Sequence, residues 1–233
     1  MKNNYLENLL QIIVDYKNLV YGEQRFQLVD RPQTTPDIAP TTVMQSIDAN
    51  SDIGKVSQQV SICTKCELSR TRTQTVFGYG DPESSLMIIG EAPGFDEDKQ
   101  GFPFVGKAGQ LLDKMLAAID LKRDDVYICN VLKCRPPDNR NPKPEEIESC
   151  APYLAKQIEL IDPKIILTLG NFATKYILGV ETGISRLRGK TYNKDGRTIL
   201  PTYHPSALLQ NPQLKRPAWH DLKYLKLLLQ KVK

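Results

Sequence analysis

Residues 164–170 read KIILTLG, and Ile165, Ile166, Leu167 and Leu169 place apolar side chains on both faces of one short run. Such a strand is stable only where both faces are covered, which confines it to the middle of a layered fold. Three further runs read as strands, at Leu86–Gly90, Val126–Leu132 and Thr198–Tyr203. Helix-like segments alternate with them, at Ala108–Ile119, Pro144–Leu160 and Phe172–Leu178, and a last one covers Ala218–Gln230. The helix at 144 carries Pro144 in its first turn, with Glu145 and Glu146 beside the positive end of its dipole. Alternation of this kind predicts an α/β fold, a three-layer α/β/α sandwich around a parallel sheet. In such sheets the site lies beyond the carboxyl ends of the strands.

The segments leaving the strand ends are therefore informative. The first strand opens into GEAPGFDEDKQGFPFVGKAG, residues 90–109, with five glycines, two prolines and four acids. Ordinary connections in α/β domains run two to six residues, so a stretch this long reads as a site. The second strand ends at Asn130, the third runs into Gly170-Asn171, and the fourth into His204-Pro205-Ser206. Glu91, Asn130 and one of only two histidines are thus expected on one rim. Gly101–Ala108 nearly matches the phosphate-binding pattern G-x-x-x-x-G-K-[ST], but Ala108 stands where a hydroxyl belongs and ten residues separate Gly101 from the strand. Those departures argue against a nucleoside triphosphatase.

Residues 1–30 contain a helical pattern of Leu6, Leu9, Leu10, Ile13 and Val20, read as an amphipathic appendage with a protein partner as its expected role. Residues 31–54 are rich in Pro, Thr, Ser and Asp and read as a linker. The core domain is expected over residues 55–233. No apolar run approaches the roughly 20 residues of a membrane span, and the N-terminus lacks a cleavage-site pattern, so a cytoplasmic protein is expected. The net charge of +4 permits nucleic-acid binding without demanding it. Basic residues gather near the end, at Lys215, Arg216, Lys223, Lys226, Lys231 and Lys233, either as a phosphate-facing surface or as a solvated helix face.

Five cysteines remain. Cys63 and Cys66 form a C-x-x-C pair, while Cys134 and Cys150 lie farther along the chain. In a cytosolic protein such a set points to metal, either zinc or an iron–sulfur cluster. The spacing lacks the paired C-x-x-C units of a zinc ribbon and favours a cluster. Cys129, inside the second strand, reads as a buried free thiol.

Three motifs now stand in order: GEAPG with downstream ED-x-x-G-x-PFVG-x-AG-x-LLD, then YICNVLKCRPPDNRNP, then PTYHPSALLQNP. Together they resemble the family 4, iron–sulfur type uracil-DNA glycosylases, over residues 58–230. The resemblance implies a four-stranded parallel sheet between helices and removal of uracil from DNA, double- or single-stranded. It implies a 4Fe-4S cluster held by Cys63, Cys66, Cys134 and Cys150, and a uracil pocket of Gly90, Glu91, Ala92, Phe104, Asn130 and His204. His204, Glu91 and Asn130 are its catalytic candidates. Ser206, Leu208 and Leu209 are its expected DNA contacts, with the leucines filling the gap left by a flipped base. Related enzymes with a G-Q-D-P-Y-H motif carry a water-activating aspartate where this chain has Ala92, which leaves Glu91 as the candidate substitute. No lysine accompanies the matched pocket, so hydrolysis without a strand-cutting lyase step is expected. The competing reading is a non-catalytic DNA-binding module stapled by its metal, which has no need to group Asn130, Phe104 and His204.

Overall fold

A computed structural model describes residues 50–232. The expected helix near the N-terminus, the appendage of residues 1–30 and the linker up to residue 49 lie outside the described residues. The first described helix, α1 (Asp52–Ser61), starts inside the stretch expected to be linker. The Ser51 side chain caps it by accepting from Gly54 N–H at 3.1 Å, and Ile53, Val56 and Val60 form its buried face.

The sheet has six strands: β1 (Tyr79–Gly80), β2 (Leu86–Gly90), β3 (Tyr127–Asn130), β4 (Ile165–Leu169), β5 (Tyr192–Lys194) and β6 (Arg197–Thr202). Their order is β1-β3-β2-β4-β6-β5. The four central strands are parallel, as expected, while β1 and β5 add antiparallel edges. All residues of β2, β3 and β4 are buried. Alternation sends Leu86 and Ile88 to one face and Met87 and Ile89 to the other, so two cores form. The first is closed by α3 (Lys107–Ala117), α7 (Pro205–Gln210) and α8 (Lys215–Val232), through Leu112, Met115, Leu208, Trp219 and Leu222. The second is closed by α1, α4 (Pro144–Ile161) and α5 (Gly170–Leu178), through Val60, Tyr153, Leu154 and Ile177.

Register carries the strand ends to one level. Gly90 pairs with Asn130, Ile89 with Thr168, and Leu169 with Thr202. From β2 the chain moves first to one neighbour, β3, and then to the other, β4, so the loops leaving β2 and β4 diverge and open a crevice between them.

Two short helices, α2 (Phe95–Gln100) inside the long loop and α6 (Ile184–Leu187), complete the fold. Among the described residues no helix is long and apolar enough to cross a membrane.

Candidate active site

The crevice is a cavity of about 680 Å³, and Glu91, Ala92, Phe104, Asn130, His204 and Ser206 all line it. Gly90 supports its floor from beneath. A Cβ on Gly90 would stand 2.3 Å from Asn130 Oδ1 and 2.5 Å from Phe104 Cζ, so the missing side chain is what lets both residues close over the strand end.

The long loop is held by one carboxylate. Glu97, on α2, accepts from Gly94 N–H at 3.1 Å through Oε2 and from Val105 and Gly106 N–H at 2.9 Å through Oε1. Gly101 ends α2 in the left-handed conformation, with φ at 79°. The amides that a phosphate loop would offer at Val105 and Gly106 are thus already taken. Phe104 itself has φ at 55°, an uncommon conformation for an aromatic residue. Its carbonyl accepts from Arg123 Nη1 at 2.8 Å, and the Pro103 carbonyl accepts from Nη2 at 2.5 Å. Asp113 orients that guanidinium at 2.9 Å. Gly109 lets α3 pass close by, since a Cβ there would lie 1.7 Å from Phe104 O. The Phe104 ring is buried, 5.6 Å from that of His204 and tilted by 34°.

His204 precedes α7 and caps it. Ser206 N–H donates to Nδ1 at 3.2 Å, and the Ser206 hydroxyl lies 2.7 Å from the same nitrogen. A main-chain N–H can only donate, so Nδ1 is the acceptor and the proton of the neutral ring sits on Nε2. Burial pulls the His204 pKa down to about 4, which keeps the imidazole neutral at pH 7. Gly170, with φ at 85°, passes beneath it; a Cβ there would stand 3.0 Å from His204 Cβ.

Asn130 is 2% exposed. Its Oδ1 is buried beside Gly90 with no hydrogen-bond partner, on a residue that lines the cavity. Glu91 is half-buried, and burial raises its pKa from 4.5 to about 7.

The expected DNA contacts divide. Ser206 lines the cavity, and Leu209 is 46% exposed. Leu208 is 0% exposed and packs in the core, so it presents no wedge to DNA. The pair is split because neighbours on a helix point about 100° apart. The basic residues of α8 do not line the cavity; the cations that do are Lys107 and Arg140, the latter paired with Glu146 at 2.5 Å. Asn171 and Tyr203, at strand ends but not among the expected site residues, also line the cavity.

A second, smaller cavity is lined by Cys63, Cys66, Cys134 and Cys150 together with Lys65, Arg72 and Lys133. Arg72 Nη1 donates to Cys134 Sγ at 3.2 Å. Burial pushes the Cys134 thiol up to about 11 and the Cys150 thiol up as well. Among the described residues no three His, Cys, Asp or Glu side chains form a grip for a single metal ion. Cys129, fully buried, does not line this cavity.

The family model for the uracil DNA glycosylase superfamily matches residues 77–226, a span containing the whole cavity floor and both rims. A type-4 uracil-DNA glycosylase of Archaeoglobus fulgidus is 45% identical over 188 residues, covering 77% of this chain and 92% of that protein. One from Thermotoga maritima is 43% identical over 180 residues, covering 76% and 94%. A type-5 uracil-DNA glycosylase of Thermus thermophilus is 31% identical over 159 residues, covering 60% and 71%. With motifs, fold and crevice agreeing with these matches, the chain belongs to the uracil DNA glycosylase superfamily and, within it, to the type-4 uracil-DNA glycosylases.

Proposed function

We propose that this chain is a DNA-repair glycosylase that hydrolyses the N-glycosidic bond of deoxyuridine in DNA and leaves an abasic site. The observation that carries the reading is that the cavity is lined by Asn130, whose buried Oδ1 has no partner among the described residues. Uracil offers a donor at N3–H and an acceptor at O4, which match the Asn130 amide; cytosine reverses both. The cavity is entered only by a base that has left the duplex stack. Phe104 stacks on the flipped ring, an interaction worth about 1–3 kcal/mol.

As the bond breaks, negative charge gathers on the departing base. A neutral His204 with its proton on Nε2 donates a hydrogen bond to that charge. A histidinium is not needed, and its low pKa argues against one. The Glu91 carboxyl, poised near pH 7, is the group available to orient or deprotonate the attacking water. Ser206 and the exposed Leu209 contact the strand beside the vacated position.

The donor set of the second cavity fits a 4Fe-4S cluster held by Cys63, Cys66, Cys134 and Cys150. Four thiols share one cavity without a carboxylate, and three cations line it to balance an anionic group. Such a cluster, when bound, supplies redox-capable iron and four covalent ties among distant segments. A uracil-containing oligonucleotide tests the reading: free uracil should be released, with strand scission only after alkali. Scission without alkali, or no uracil release, overturns it.

A further inference from the structure

Lys133 is 1% exposed, the most deeply buried cation among the described residues, and no carboxylate pairs with it there. A buried ammonium carries a desolvation penalty of several kcal/mol unless other groups offset it. Two groups are at hand. Its Nζ donates to the Asn130 main-chain carbonyl at 2.7 Å. Lys133 also lines the four-cysteine cavity, beside Cys134 and Cys150. Lys133 thus holds the backbone of the base-reading residue through its Nζ and is itself part of the wall of the thiol site.

We propose that Lys133 is a positioning residue that joins the two sites: its ammonium holds the Asn130 main chain in register with Gly90, and the thiolates of the four-cysteine site act as its counter-ion. The inference rests on the function and cluster proposed above. It assigns the thiol site a role at the uracil pocket beyond stapling the fold, exerted through charge and geometry and without electron transfer. Asn130 can make its paired hydrogen bonds to uracil only if its Cα is fixed, and the carbonyl held by Lys133 belongs to the same residue.

Full-length, metal-loaded protein carrying Lys133→Met, close in length but uncharged, is the test. Iron content should match the wild type. Free uracil, titrated calorimetrically, should bind about tenfold more weakly, the scale of one lost charge-assisted hydrogen bond. Affinity for abasic DNA should not change. Reduction of the cluster should become harder, since a neighbouring positive charge has gone. Lys133→Gln, which keeps a donor but no charge, should recover part of the uracil affinity while leaving reduction as hard as in Lys133→Met. An iron-replete Lys133→Met with wild-type uracil affinity overturns the proposal. If Lys133→Met does not fold, wild-type reduction behaviour in Lys133→Gln overturns it instead. Wild-type protein that releases no uracil from DNA sinks the function reading, a separate outcome.

Discussion

Gly90→Ala probes the site with a single added methyl. The new carbon would lie 2.3 Å from Asn130 Oδ1 and 2.5 Å from Phe104 Cζ, against ordinary contacts of 3.4–4 Å. Both neighbours must therefore retreat by about 1 Å, a displacement that can lower rate about 10²-fold when it moves a binding group. Neither can retreat freely. Asn130 is fixed at its carbonyl by Lys133, and Phe104 is pinned by Arg123 and by the passage of α3 at Gly109. Overpacking of this type destabilises by about 1–3 kcal/mol. Single-turnover uracil release should fall by about two orders of magnitude, with thermal melting lowered by a few degrees. Abasic-DNA binding, which does not use the base pocket, should be retained. Wild-type single-turnover rates in a folded Gly90→Ala protein would refute the assignment of Asn130 and Phe104 to the uracil pocket.

Replacing His204 with Ala removes one donor to the leaving base and should lower the single-turnover rate by about 10²–10³, with a small change in DNA affinity. Burial raises Glu91 from 4.5 to about 7, so the stability tied to its protonated form is full below pH 4.5 and is lost as pH rises through about 7; Glu91→Gln should flatten that decline in melting curves. If Glu91 activates water, the same variant should also lose the rise in rate as pH increases through about 7. Anaerobically purified protein should be brown; Cys134→Ser should lose iron, whereas Cys129→Ser should retain it, as metal analysis will report.

The central strands were legible because a run such as IILTL has no stable place except between two layers. The edge strands were not. Tyr79–Gly80 and Tyr192–Lys194 are short and partly exposed, and no apolar period marks them. Helix α2 escaped for a related reason: FDEDKQ has no apolar stripe and is held by the reciprocal contacts of Glu97 and Gly94. The candidate residues Glu91, Asn130 and His204 could be named because they lie on segments leaving strands that share a direction, whereas Ala92 and Phe104 were named through the family resemblance. Leu208 and Leu209 are equivalent as letters in PSALLQ; only their positions on α7 send one into the core and the other to solvent. Arg123 and Lys133 were invisible, since their importance lies in the carbonyls they hold at Phe104 and Asn130. No spacing rule records such a contact.

Glu97 has a kinetic consequence. By accepting from Gly94, Val105 and Gly106, its carboxylate ties the floor of the pocket to the aromatic wall before any base arrives. Little ordering remains to be done when uracil enters, and little disorder is regained when it leaves. A receptacle built in this way does not distinguish sharply between a base still attached and a base just cut free. The liberated uracil is therefore expected to compete with the next lesion for the same cradle, and free uracil added to a steady-state assay should slow repeated turnover.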